Sequence, residues 1–171
     1  RGSLELNGSP LAPADLLTAD TSQVTSSSTF KDNYILSTGV NRGFGGAIST
    51  NGSGLGADVD GAVFDGNYIS TKQNAYGGAI YTDATGGNIS ADFTGNTLSA
   101  VAVQGSDNGG GAIYNRGTLT KITGNFTNNA INLQPISNNE QSGESLGGAL
   151  CNGGTITNGI DGTFSGNTIT T

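Results

Sequence analysis

The residues with the most chemistry in them are carboxylates. Asp58, Asp60 and Asp65 fall within one short stretch, and Asp83, Asp92 and Asp161 follow further along. Side chains two apart on a strand share a face, so Asp58 and Asp60 point the same way. With Asp65 they could offer a Ca²⁺ ion hard oxygen ligands. The spacing matches neither an EF-hand loop nor the Gly-Gly-x-Gly-x-Asp calcium repeat. Carboxylates on a groove, flanked by Arg, Lys or Ca²⁺, are also the machinery that cleaves acidic polysaccharides. Here the basic residues stand singly, at Lys31, Arg42, Lys72, Arg116 and Lys121, which suits a polyanionic substrate poorly. The expectation is solvated turn aspartates, no catalytic residues and no cofactor, with Asp58, Asp60 and Asp65 kept as the one metal candidate.

The remaining reactive groups are few. Histidine, the commonest general base and metal ligand, is missing. Thirteen acidic residues against six basic ones give a formal charge of −7, which disfavours nucleic acid and anionic membrane surfaces, since both call for Lys/Arg patches. Cys151 is alone, so no intramolecular disulfide exists. It follows Leu150 where the equivalent places hold Ser49, Tyr81 and Tyr114, and it reads as a tolerated small residue rather than a redox thiol. Tyr34, Tyr68, Tyr76, Tyr81 and Tyr114 could bind a sugar or a protein if exposed, with packing between neighbouring coils as the plainer expectation. Tyr81 and Tyr114 hold equivalent positions and should stack on the exterior.

What must position these groups is a repeat. Gly45-Gly46-Ala47-Ile48 returns as Gly77-Gly78-Ala79-Ile80, Gly110-Gly111-Ala112-Ile113 and Gly147-Gly148-Ala149-Leu150, at spacings of 32, 33 and 37 residues. Between the copies runs Phe-x-x-Asn: Phe30/Asn33, Phe64/Asn67, Phe93/Asn96, Phe126/Asn129 and Phe164/Asn167. Repeats of this period are the mark of solenoids. Thirty glycines with abundant Asn, Ser and Thr argue against helices. The same composition would also suit a disordered chain, but apolar residues at fixed places in each repeat argue for a packed core.

Each phrase has a physical reading. Phe and the Ile two places after Asn can both face inward only if the chain bends between them. The bend falls on Lys31-Asp32-Asn33, Asp65-Gly66-Asn67, Thr94-Gly95-Asn96, Thr127-Asn128-Asn129 and Ser165-Gly166-Asn167, residue types that tolerate left-handed backbone. Stacked copies would give an asparagine ladder and a phenylalanine stack, which set the register. The paired glycines permit a second bend and a close approach to the neighbouring coil, and Ile or Leu supplies core. Short strands with Gly/Asn corners indicate an all-β chain folded as a parallel β-helix, right-handed by the usual chirality of parallel crossovers. A period near 33 fits either two triangular coils or one large coil; the first is preferred. Thr-x-Thr pairs at Thr118, Thr155 and Thr168 are absent from the Phe30 and Phe64 repeats, so no uniform threonine face is expected.

Residues 30–171 form the repeat region and 1–29 an N-terminal segment that could cap it. In that segment Ala14-Asp15-Leu16-Leu17 could make a helical turn, and the Ser/Thr-rich run around Val24 a weak strand. Arg1-Gly2-Ser3 is set aside as foreign to the fold, and Thr171 reads as a cut. The open ends of a solenoid favour self-association. Longer insertions at Leu98 to Asn108 and Ile131 to Ser145 should leave the rod on one side, a common binding face. No apolar run approaches the ~20 residues of a membrane-spanning helix. Nothing reads as a signal peptide, so a mature fragment or a cytosolic chain is expected.

The strict alternation of Phe-x-x-Asn with Gly-Gly-Ala-Ile/Leu, from Phe30 to Asn167, resembles the motif pair of the chlamydial polymorphic membrane proteins. That family consists of autotransporters, with a repeat-bearing passenger on the cell surface and a C-terminal β-barrel in the outer membrane. The resemblance implies a fragment of a surface-exposed adhesin without catalysis, whose partner is a host-cell surface protein or glycan. Membrane attachment would come only through a barrel outside this chain. Relatives are longer and often richer in Cys, and similar composition also suits β-helical passengers of other bacteria. A purely structural stalk is the alternative reading, and a carbohydrate-binding or polysaccharide-active β-helix the third.

Overall fold

The computed structural model describes residues 3–6, 9–10, 28–39, 41–50, 59–101, 107–134 and 144–170. Strands β1 (Ser3–Leu6) and β2 (Ser9–Pro10) precede the repeats. The first coil carries β3 (Thr29–Lys31), β4 (Tyr34–Leu36), β5 (Gly43–Phe44) and β6 (Ile48–Thr50). The second carries β7 (Val59–Asp65), β8 (Tyr68–Thr71), β9 (Ala75–Tyr76) and β10 (Ile80–Thr82). The third has β11 (Asn88–Thr94), β12 (Thr97–Val101), β13 (Asp107–Gly109), β14 (Ile113–Asn115) and β15 (Thr118–Leu119). The fourth has β16 (Lys121–Thr127), β17 (Ala130–Gln134), β18 (Glu144–Leu146), β19 (Leu150–Asn152) and β20 (Thr155–Ile156), and β21 (Ile160–Ser165) and β22 (Thr168–Thr170) open the next. No helix occurs among the described residues.

Like stacks on like. Sheet A orders β3-β7-β11-β16-β21, sheet B β4-β8-β12-β17-β22, sheet C β5-β9-β13-β18 and sheet D β6-β10-β14-β19, with β15 and β20 forming a small fifth sheet. All of these pairings are parallel. The chain is thus a β-solenoid in which one repeat makes one large coil, and the two-coil expectation is corrected. The length of a repeat fits both; the pairing decides, because Phe30 meets Phe64 and Gly-Gly-Ala meets Gly-Gly-Ala in the adjacent layer. Five strands of sheet A at ~4.8 Å make a stack of about 20 Å. At its first edge β1 pairs antiparallel with β3, Ser3 opposite Lys31, so Ser3 belongs to the fold. The helical turn at 14–17 and the strand around Val24 lie outside the described residues.

The corner between sheets A and B is built as the phrase implies. Phe30, Phe64, Phe93, Phe126 and Phe164 stack with centroids 4.5–4.9 Å apart and planes within 2–8°. The bend falls on Asp32, Gly66, Gly95, Asn128 and Gly166, all at φ between 52° and 65°. Beyond it, Nδ2 of Asn33, Asn67, Asn96 and Asn129 donates to Oδ1 of the asparagine one coil on, at 2.9–3.0 Å. The same oxygen accepts the backbone N–H of the preceding asparagine. The second Nδ2 hydrogen reaches back to a phenylalanine carbonyl: Asn67 to Phe30, Asn96 to Phe64, Asn129 to Phe93 and Asn167 to Phe126. A buried amide left without partners costs about 1–3 kcal/mol, and these leave none at Asn67, Asn96 or Asn129.

The paired glycines do two different jobs. The first is in the left-handed region in every copy, with φ of 63° at Gly45 and 69° at Gly77, Gly110 and Gly147. The second faces backbone: a Cβ on Gly46, Gly78 or Gly111 would run into the carbonyl of its counterpart one coil on and crowd the start of the sheet B strand there. The coil is therefore pinched, its C–D corner touching its A–B corner, and the waist divides the interior. One core packs Phe64, Phe93 and Phe126 against Ile80, Ile89, Ile113, Leu119 and Ile122. The other holds Ile69, Leu98 and Ile131 against Ala75, Ala100 and Leu133. Past the glycines, Thr50, Thr82, Asn115 and Asn152 align as a further polar column, with Thr50 bonded to Thr82 at 2.8 Å and Asn115 to Asn152 at 2.7 Å. This ladder is not named by either phrase.

Both longer insertions leave the same corner. Leu98–Val101 and Ile131–Gln134 belong to sheet B, and Asp107–Gly109 and Glu144–Leu146 to sheet C. The extra residues, 102–106 and 135–143, connect B to C in successive coils and lie outside the described residues.

Candidate binding groove

A pinched coil has a concave outer surface at its waist. Outward residues of sheet C and sheet D should then meet, although they diverge on a convex corner. They do meet: Tyr76 projects outward from β9 and Tyr81 from β10, yet their rings lie 6.4 Å apart. Phe44 stacks on Tyr76 at 5.4 Å and meets Tyr81 edge-on at 4.9 Å. Tyr114 stacks on Tyr81 at 5.9 Å, within 12° of parallel, and meets Tyr76 edge-on at 4.8 Å. The tyrosine stack expected from the repeat is present, and Tyr81 is buried beneath its neighbours, which is the packing between coils that was the plainer expectation.

These rings line a groove of about 400 Å³, completed by Arg42 and Asn74 on the sheet C side and Arg116 on the sheet D side, with Asp107 one coil further on. Asn74 donates its amide to the Tyr76 hydroxyl at 3.0 Å. The Tyr81 hydroxyl beside the Arg116 guanidinium raises its already high pKa, with the charge of Asp83 adding to the effect. Burial pushes the Tyr114 phenol up. Cys151 follows Tyr114 in register, and burial pushes its thiol up as well, which favours the inert thiol over the nucleophilic thiolate. Gly109 gives the Tyr114 ring its place: a Cβ there would sit 2.6 Å from the ring edge.

Of the carboxylates singled out in the sequence, Asp83 lies near enough to act on Arg116, while Asp60, Asp65, Asp92 and Asp161 do not line the groove. Asp60 and Asp65 stand opposite Ser90 and Thr94, four ladder steps apart because β7 bulges between Asp60 and Ala62, which is roughly 13 Å at the ~3.3 Å rise of a strand residue. Asp65 pairs with Lys31 at 2.6 Å, and Asp161 with Lys121 at 3.4 Å. Asp92 accepts from the backbone and side chain of Asn125. Asp58 lies outside the described residues. No three acidic or thiol side chains gather as a metal-ligating group among the described residues.

Sequence reasoning missed Phe44, Asn74 and Asp107, and treated Arg42 and Arg116 as isolated charges. Fold geometry brings those two arginines to one groove from coils two apart. A signal for the aromatic part was present: the residue before each glycine pair is Phe44, Tyr76, Gly109 or Leu146, and the one after each Ile or Leu is Ser49, Tyr81, Tyr114 or Cys151. No family model matches the chain, and no curated protein or solved structure matches it at a significant level.

Proposed function

We propose that the chain is an adhesive segment of a bacterial autotransporter passenger, displayed at the cell surface and attaching to a host-cell surface protein or glycan. One observation carries this reading: the repeat stops repeating at the groove, where aromatic rings and two exposed arginines line a concavity on a chain of formal charge −7. Concave sites with a few convergent polar groups are where ligands bind. The alternation of Phe-x-x-Asn and Gly-Gly-Ala-Ile/Leu supports the placement among polymorphic membrane protein-like passengers, with attachment to the outer membrane through a barrel outside this chain. A stalk would share the fold, since fold alone does not set function, but it has no need of such a groove.

The test is attachment of beads coated with the purified chain to cultured cells. Controls carry Arg42→Gln with Arg116→Gln, or lack residues 136–142, a cut that spares β17 and β18. Attachment lost in the arginine variant supports the groove as the adhesive surface. Attachment lost only in the deletion moves the surface to the B–C connection. Coated beads that hold no better than bare ones would make this segment a stalk.

A further inference from the structure

We propose that the groove is a subsite for a short carboxylated saccharide, with the sugar ring on the Tyr76 and Tyr114 side chains and the carboxylate paired with Arg42 and Arg116. The inference deepens the adhesive reading and rests on the groove being its binding surface.

Three observations point to this ligand chemistry. Ring faces at a surface give a flat apolar platform for the C–H face of a pyranose, while phenol hydroxyls serve its alcohols. Here the half-buried Tyr76 and Tyr114 offer the ring surface and their hydroxyls, Tyr81 being buried beneath them, and the Asn74 amide lies beside Tyr76. The second observation is charge. The chain holds six basic residues, and Lys31 and Lys121 are paired with Asp65 and Asp161, whereas Arg42 and Arg116 are exposed in the groove. Guanidinium forks suit carboxylates, and charge-assisted bonds of this kind are the strong ones. The third observation sets length. Asp107 lines the groove in the third coil, with Glu144 beside it in register in the fourth. A long polyuronate lying along the stack would meet these carboxylates, so the ligand is a short saccharide.

An acidic peptide is the competing class. Peptides dock by adding a strand to a free sheet edge or by burying apolar anchors. The groove runs across strands whose backbone groups already bond coil to coil, and its accessible lining is mainly polar.

The experiment titrates the full chain with sialyllactose, a short hyaluronan oligosaccharide, lactose and a glutamate-rich peptide, read by saturation-transfer NMR and calorimetry. The first two separate a sialic acid source from a uronic acid source. At least one of them should bind about tenfold or more tighter than lactose, as a charge-assisted pair adds over neutral contacts. That advantage should vanish in the Arg42→Gln, Arg116→Gln double variant, whose fold is checked by circular dichroism. No binding of either acidic sugar at millimolar concentration, lactose binding equally well, or an unaffected double variant would each overturn the proposal. Binding of the peptide alone would overturn it too and assign the groove to a protein partner. Cell attachment without sugar binding sinks only the saccharide; sugar binding by a chain that holds no cells sinks only adhesion.

Discussion

Two corners of the same coil follow opposite rules. At the A–B corner every layer repeats its residues, phenylalanine on phenylalanine and asparagine on asparagine, because every layer must bury the same ring and satisfy the same amide. On the outside of the C–D corner the columns run Arg42, Asn74, Asp107, Glu144 and Phe44, Tyr76, Gly109, Leu146, with Ser49, Tyr81, Tyr114 and Cys151 facing them. The glycine waist links the two, since the contact that closes the inner corner also makes the outer one concave. Interior repetition therefore marks what holds the rod together, and exterior variation marks where it can recognise something.

The comparison breaks most easily at the ladder. Phe93 is fully buried between Phe64 and Phe126, each centroid 4.9 Å away. Phe93→Ala should lower stability to unfolding in urea by about 3–5 kcal/mol, the cost of removing a buried phenylalanine. A loss below about 1 kcal/mol would mean that the stack is not what holds the layers. Asn96→Ala comes next, at about 2–3 kcal/mol, because it strands the Asn67 amide and the Phe64 carbonyl in the interior. Both variants should leave the groove's ligand affinity unchanged under conditions where the chain is folded.

The same contrast explains what could be read before the structure. Phe-x-x-Asn and Gly-Gly-Ala-Ile/Leu were legible because one phrase maps onto one place in every layer. The bends at 31–33 and 127–129 were legible from their residue types, with the structure putting the left-handed backbone on Asp32 and Asn128. The number of coils per repeat was not legible. It depends on which strand stacks on which, and the length of a repeat does not carry that. The Thr50, Thr82, Asn115, Asn152 ladder hid because its residue type changes halfway. The groove hid for a stronger reason: Arg42 and Arg116 share one groove because the backbone is pinched at glycines that themselves carry no chemistry.

Alkaline pH should sharpen the contrast with a smaller effect. The ladder's asparagines and phenylalanines do not titrate, whereas Cys151 and Tyr114 do. Both have pKa values raised by burial above their ordinary 9.0 and 10.0. A raised pKa means that the folded chain keeps a proton the unfolded chain has lost, so this stabilisation is complete below 9.0 and fades as pH climbs through the folded values. The melting temperature should therefore decline above pH 9.0, thiol first and phenol after. Lys31, raised by its bond to Asp65, loses its proton from 10.5 upward and adds a later decline. Cys151→Ser should flatten only the first part of the curve. An unchanged curve in that variant would remove the thiol from the account.

The smallest expected stability effect is the most telling one. Arg116 is exposed, and its contact with the Tyr81 hydroxyl competes with water, so Arg116→Gln should leave the unfolding free energy nearly unchanged. A residue that held the fold together as Asn96 does would cost far more. If Arg116→Gln proved as destabilising as Asn96→Ala, the arginine would be a strut over Tyr81, and the distinction between a repeating interior and a recognising exterior would fail at its main witness. If stability barely moves while cell attachment falls, then Arg116 is held by what it binds, which is the difference between the two corners stated in one side chain.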